Sequence, residues 1–75
     1  MKEFEVTVKE KINNEWVLIS GFPYFEAETE EEAIECVKDY IKDCIRDNFY
    51  LSESEIEKEC EKVESDEYSF RAEEV

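Results

Sequence analysis

The chain has 75 residues, a formal net charge of −14 and no histidine. Its length predicts one domain with a thin core, because a chain this short buries only ~60% of the surface that its unfolded form exposes. A hydrophobic content of 41% that includes five phenylalanines and four tyrosines excludes a disordered acidic tail, and no stretch approaches the ~20 apolar residues of a membrane-spanning helix.

Alternating side chains predict strands in the first third of the chain. Residues 3–9 alternate strictly between apolar and polar, which is typical of a half-buried strand. Asn13-Asn14 predicts a hairpin turn, since asparagine tolerates positive φ. Residues 16–19 are apolar on both faces, which predicts a second strand and favours a central place in the sheet. Gly21-Phe22-Pro23 then predicts a bulge, kink or short loop before alternation resumes at 25–27.

Two capping sequences predict where helices begin. Thr29-Glu30-Glu31-Glu32 is a capping box, and an apolar stripe follows it at helical spacing, which predicts a helix over about residues 30–47. That stripe consists of Ile34, Val37, Ile41, Cys44 and Ile45. Ser52-Glu53-Ser54-Glu55 is a second box, and the thin stripe after it predicts a peripheral helix. Residues 68–72 alternate again and predict a last strand.

The order β-β-(β)-α-α-β predicts the fold class. We expect an α+β fold in which an antiparallel sheet of three or four strands carries one main helix and a second short helix on one face. All of residues 1–75 are expected to form this single acidic domain.

The residue types present argue against catalysis. Without histidine the chain lacks the most common general base and metal ligand, and a cysteine nucleophile would lack its usual partner. One glycine cannot make a glycine-rich phosphate loop, and no segment matches a calcium-binding loop. We therefore predict a protein that is not an enzyme, with no cofactor and no metal site beyond weak, nonspecific binding of divalent cations by clustered carboxylates.

The cysteines and the first residues predict where the chain works. Cys36, Cys44 and Cys60 are an odd number without CxxC spacing, and the charged, alternating start predicts no export signal. We expect a cytoplasmic protein with reduced cysteines. Because free cysteine is among the most buried residue types, we interpret these three mainly as packing residues.

Acidic residues recur every four positions along the predicted main helix, at Glu31, Glu35, Asp39, Asp43 and Asp47. The middle three each precede a base by three residues, a spacing that gives helix ion pairs worth ~0.2–0.5 kcal/mol each. Glu35, Asp39 and Asp43 are therefore either an ordinary solvated ridge or part of a binding surface.

Residues 53–67 carry the densest acid, which only Lys58 and Lys62 accompany. The acids are Glu53, Glu55, Glu57, Glu59, Glu61, Glu64, Asp66 and Glu67. A helix loses stability from unpaired like charges, so this segment is either a solubilising edge or a binding surface for a basic partner. Adaptation to high salt also produces acidic surfaces, but lysine makes up most of the bases here, unlike in halophilic proteins.

Two segments resemble a known family of short proteins. The sequences MKEFEVTVKE at 1–10 and FEAETEEEAI at 25–34 resemble the DpnD/PcfM-like proteins of phages and mobile elements, which have a β-hairpin followed by a strand and an A-x-T/S-x-E-E-A helix start. The Gly21-Phe22-Pro23 insertion and the second acidic helix depart from that pattern. The resemblance implies a mobile-element origin without a defined activity. In size and acidity the chain is also similar in type to anti-CRISPR proteins.

Charge density favours a function in binding. A globule of this length is roughly 30 Å across, and that length of duplex DNA carries about 17 charges, against the net 14 here. We predict an inhibitor of a basic nucleic-acid-binding host protein, such as a CRISPR effector, that occupies its basic surface by nucleic-acid mimicry. This hypothesis includes no direct binding to nucleic acid or to membranes, both of which the charge repels.

The alternative is a different class of interaction. A small protein–protein interaction module, of the antitoxin or immunity type, would bind through an aromatic patch instead of acid. Phe22, Tyr24, Phe49 and Tyr50 are the residues that would supply it. Neither hypothesis names the target or the oligomeric state.

Overall fold

The predicted order of elements is confirmed in a computed structural model that describes residues 1–75. The elements are β1 (Lys2–Ile12), β2 (Glu15–Ile19), β3 (Phe25–Ala27), α1 (Glu30–Arg46), α2 (Glu53–Val63) and β4 (Tyr68–Glu74). The fold is α+β, with an antiparallel sheet of four strands and two helices. Neither helix combines the length and the apolar character needed to cross a membrane.

The first strand is the centre of the sheet. Val8 pairs with both β2 and β4, and Phe4 pairs with both β3 and β4. Consequently β2 and β3 follow one another along one edge of β1, while β4 occupies the other edge. Between β2 and β3, residues 20–24 stand opposite only residues 5–7 of β1, which confirms the predicted interruption. Gly21 adopts a φ of 99° there, a conformation that favours glycine.

The prediction that residues 16–19 form a central strand is wrong. β2 pairs only with β1, and three of its apolar side chains, Trp16, Val17 and Leu18, are exposed. The physical reason is that β4, from the far end of the chain, takes the second edge of β1. An apolar run reports how hydrophobic a strand is, but it carries no information about which distant strand pairs with its neighbour.

Local signals set the ends of the elements as the sequence indicates. Asn13 and Asn14 have φ values of 51° and 65°, as a tight turn between β1 and β2 requires. At the start of α1, the Thr29 hydroxyl accepts a hydrogen bond from the Glu32 amide at 3.2 Å. The Glu32 carboxylate accepts in turn from the Glu28 amide at 3.0 Å, one residue before the cap. At the start of α2 the Ser52 hydroxyl accepts from the Glu55 amide at 3.3 Å and donates to the Glu55 carboxylate at 3.0 Å.

The core lies between the sheet and the helices and contains only apolar side chains. Its nine buried members are Phe4, Val6, Val8, Ala27, Ala33, Val37, Ile41, Val63 and Ala72. The second helix contributes only Val63, as expected for a peripheral helix. Other contacts must therefore hold α2 in place.

Candidate protein-binding surface

Ion pairs separate the acids that the fold uses from those that it leaves free. Six acids lie within 4 Å of a lysine or arginine: Glu10, Glu35, Asp43, Glu64, Glu73 and Glu74. Because the chain has 23 acidic residues in all, the other 17 have no such partner. No charged side chain is buried, so the unpaired acids are available to a binding partner.

Glu64 ties the end of α2 to α1. Its carboxylate oxygens lie 2.9 Å from the Lys42 ammonium and 3.6 Å from that of Lys38. The hydrogen bond from Lys42 holds the pKa of Glu64 below its usual value, and the same bond raises the pKa of Lys42. Glu64 belongs to the predicted binding surface by sequence, and the structure places it in a contact between the helices.

The predicted ion pairs within α1 form in part. Glu35 lies 3.7 Å from Lys38, and Asp43 lies 3.2 Å from Arg46. Asp39 has no partner, because Lys42 reaches across to α2 instead. Three-residue spacing alone could not reveal this competition between an acid on the same helix and one on its neighbour.

A second polar contact joins α2 to β1. The Lys62 ammonium donates to the Glu10 carboxylate at 2.9 Å, and the Tyr68 hydroxyl donates to the same carboxylate at 3.4 Å. The hydrogen bond with Glu10 raises the pKa of Lys62. Burial, followed by the negative charge of Glu10, raises the pKa of Tyr68 to about 12. Together with Glu64, this contact fixes the C-terminal end of α2.

The remaining acids of residues 53–67 form what we call the α2 acidic surface. Its members are Glu53, Glu55, Glu57, Glu59, Glu61, Asp66 and Glu67, and none forms an ion pair. All are exposed except the half-buried Glu59. Lys58 is the only base in this segment without an acidic partner. Seven of the eight acids that the sequence indicates here therefore remain free of ion pairs, and Glu64 does not.

The turn between the helices presents two uncovered aromatic rings. Phe49 is 99% exposed and Tyr50 is 96% exposed. The turn is held by Asn48, whose side-chain oxygen accepts from the Tyr50 amide at 3.0 Å and whose carbonyl accepts from the Leu51 amide at 3.3 Å. We call Phe49 and Tyr50 the aromatic tip.

The four aromatic residues of the alternative hypothesis do not share one environment. Tyr24 is about half exposed. Phe22 is partly buried and packs edge-on against Tyr40, with ring centroids 5.8 Å apart. Only Phe49 and Tyr50 remain as a fully exposed pair.

An apolar groove lies beside the tip, and sequence reasoning missed it. It has a volume of about 440 Å³, and its apolar lining consists of Phe22, Ile41, Cys44, Ile45 and Leu51. Asn48 and Glu59 complete the lining, and Glu59 is its only charged residue. The groove joins α1, the interruption after β2 and the turn before α2, so only the folded chain assembles it.

The packing interpretation of the cysteines is wrong for two of the three. Cys36 and Cys44 are exposed on α1, and Cys60 is partly buried on α2. Cys44 lies at the margin of the apolar stripe, where it faces the groove. All three thiols are free.

The arrangement offers charge and shape for binding. The structure contains no group of three or more cysteine, aspartate or glutamate side chains placed to hold a metal ion. No protein-family model, no curated protein and no solved structure matches the chain. The resemblance to DpnD/PcfM-like proteins therefore stays a prediction.

Proposed function

We propose that the protein inhibits a basic nucleic-acid-binding protein by occupying the surface that would hold nucleic acid. The observation that carries this proposal is the α2 acidic surface, where seven acids without ion pairs meet a single unpaired lysine. Such a surface attracts a groove lined with lysine and arginine for the same electrostatic reason that a phosphate backbone does. An anti-CRISPR-like inhibitor from a mobile element fits this chemistry.

The dimensions of the fold allow its charge per unit length to be compared with that of duplex DNA. The Cα atoms span 37 × 26 × 19 Å, and 37 Å of duplex DNA carries about 22 charges at one per ~1.7 Å. The net charge of −14 is about two thirds of that value. This density is lower than the sequence alone suggests, because the molecule is longer than a sphere of the same mass. It still favours fast, salt-dependent association with a basic partner.

The proposed place of action is the cytoplasm, where host nucleic-acid-binding proteins would be encountered. An odd number of cysteines without CxxC spacing favours this place, since cytosolic thiols stay reduced. The proposed partner is one basic protein, and nucleic acid and membranes are not partners, because the charge repels both.

A second candidate function is supported by the aromatic tip. A protein–protein interaction module of the antitoxin or immunity type would use Phe49 and Tyr50, whose rings are almost fully exposed. Such a module would bind through apolar burial, so its affinity would change little with salt.

Paired charge reversals distinguish the two functions. We expect Glu57→Lys with Glu61→Lys to weaken inhibition at least about tenfold, because both side chains belong to the α2 acidic surface. Glu3→Lys with Glu5→Lys changes the net charge equally on exposed positions of β1 and should have a smaller effect. The measurement is displacement of labelled duplex DNA from a panel of basic nucleic-acid-binding proteins that includes CRISPR effectors.

The salt dependence of binding and competition with DNA can each contradict the mimicry hypothesis. Mimicry requires that the protein and DNA exclude each other, and that binding weakens as salt screens the exposed charges. A complex that persists at about 0.5 M salt, where the Debye length is roughly 4 Å, and that forms equally well on a DNA-loaded target would refute mimicry and favour the aromatic module.

A further inference from the structure

The inner stripe of α1 runs past the part that the sheet covers. Val37 and Ile41 are buried in the core, and Ile45, one turn further along, is only partly buried. The groove begins at this point, with Ile41 and Ile45 in its lining. An apolar helix face normally packs against another element. The fold supplies no such element at this end of α1.

The aromatic tip stands next to the groove. Phe49 and Tyr50 lie between Asn48 and Leu51, and both of these flanking residues line the groove. Two hydrogen bonds to Asn48 hold the turn, so the rings project from an ordered backbone. A packed aromatic side chain buries ~150–250 Å², yet neither ring covers any part of its own fold. The fold does not use these rings, so both are free to contact a second molecule.

The charges around the groove select the kind of partner. Glu59 lines it, Glu55 lies one turn earlier on the same side of α2, and Asp47 precedes Asn48. None of these three acids forms an ion pair. No base lines the groove. Of the bases that adjoin its lining residues in sequence, Arg46 is paired with Asp43 and Lys42 with Glu64, and only Lys58 is unpaired. An apolar pocket with three acids around it and no base in its lining complements an apolar side chain flanked by positive charge.

We propose that the groove and the aromatic tip bind an apolar side chain carried on an amphipathic, lysine- and arginine-rich segment of the partner. This inference rests on the proposed function for the basic character of that partner, and it adds an apolar anchor to the electrostatic contact. A second copy of the chain fits less well, because it would bring the same acids and another net charge of −14 to the groove. The anchor gives selectivity among basic proteins, which charge alone does not provide.

Two synthetic peptides of equal length and equal lysine content serve as probes. One places leucines in a helical stripe, and the other has glutamine at those positions. We expect the leucine peptide to bind at least about tenfold more tightly, since burial of one leucine has that magnitude. Calorimetry measures both affinities and shows whether the preference disappears when Phe49→Ala and Tyr50→Ala are combined. That variant should melt like the wild type, because neither ring contacts the fold.

Two cysteines on the same helix provide a matched blocking experiment. Cys44 lines the groove and Cys36, two turns earlier, does not, and both are exposed. In a Cys60→Ala background, Cys36→Ser leaves Cys44 as the only thiol, and Cys44→Ser leaves Cys36. A bulky maleimide on Cys44 should abolish the preference for leucine, whereas the same group on Cys36 should leave it unchanged. Thermal melting of both labelled chains checks that each stays folded.

The outcomes separate this inference from the proposed function. Equal affinity for both peptides, unaffected by the label on Cys44, would overturn the proposed apolar contact at the groove. It would leave the proposal of an acidic inhibitor unchanged. A leucine preference together with an affinity of the leucine peptide that does not fall at high salt or in Glu57→Lys with Glu61→Lys would keep the groove and overturn mimicry. Failure of both peptides to bind would overturn both. A dimer in light scattering that Phe49→Ala with Tyr50→Ala dissociates would overturn the inference by identifying a second copy as the occupant.

Discussion

The two ends of α2 use the same residue types for opposite purposes. At the C-terminal end, Val63 is buried, Lys62 is paired with Glu10, and Glu64 is paired with two lysines of α1. At the N-terminal end, Glu53 and the acids that follow it have no ion pairs and face solvent. Glu64 stabilises the fold, whereas the unpaired acids from Glu53 onward, including Glu61 near the C-terminal end, are available for binding. The net charge and the sequence spacing are similar at both ends, so only the three-dimensional partners reveal the difference.

The largest expected effect on stability comes from a substitution at Val63, the buried residue at the C-terminal end of α2. Val63→Ala leaves a cavity at a fully buried site and should lower the free energy of unfolding by about 2 kcal/mol, or roughly 10 °C in melting temperature for a chain of this size. Ile56→Ala, at the half-buried start of the same helix, should cost about half as much. Urea unfolding measures both. Equal losses at the two sites would show that the two ends are not held differently.

Much of this architecture could be predicted from sequence because its signals are local. Alternation identified β1 and β4, and Thr29 and Ser52 identified the starts of the two helices. The edge position of β2 could not be predicted, since it depends on β4 pairing with β1 across more than fifty residues. For the same reason a run such as 16–19 indicates a strand without indicating its neighbours.

Of the candidate binding surface, only the position of the acidic residues could be predicted from the sequence. The sequence shows where acid is dense, but the ion pairs that remove Glu64 from the free set come from a different helix. The groove combines Phe22 with residues of α1 and with Leu51, and nothing in the chain brings these together before it folds. The exposure of Cys36 and Cys44 could not be predicted either, because the average burial of cysteine does not determine the burial of an individual residue.

Two matched charge reversals compare the paired and the unpaired acids of α2, and we expect their effect on stability to be intermediate in size. Glu64→Lys replaces two ion pairs with three adjacent lysines, so we expect a loss of about 1 kcal/mol. Glu57→Lys reverses an unpaired acid and relieves self-repulsion, so its melting temperature should stay the same or rise slightly. Thermal melting at low salt compares the two variants directly. If Glu57→Lys destabilised the protein as much as Glu64→Lys does, acids at both ends would have to be counted as structural.

The smallest change at neutral pH is expected at the contact among Lys62, Glu10 and Tyr68, which also affects stability at alkaline pH. The pKa of Tyr68 is raised from 10.0 to about 12 in the folded protein. A group with a raised folded pKa contributes stability that is complete below its unfolded pKa and is lost as the pH rises through the folded one. Stability should therefore fall between pH 10 and pH 12, and the raised pKa values of Lys42 and Lys62 act in the same direction.

Tyr68→Phe isolates the tyrosine from the lysines. At neutral pH this variant loses one long hydrogen bond to Glu10, so we expect a cost of only about 0.5 kcal/mol. Between pH 10 and pH 12 it should lose less stability than the wild type, because no phenol remains to ionise in a partly buried site. Tyr50→Phe, at a ring that is 96% exposed, should keep the pH dependence of the wild type. Parallel curves for Tyr68→Phe and the wild type would mean that the lysines alone control alkaline unfolding, and that Tyr68 adds nothing to the anchored end of α2.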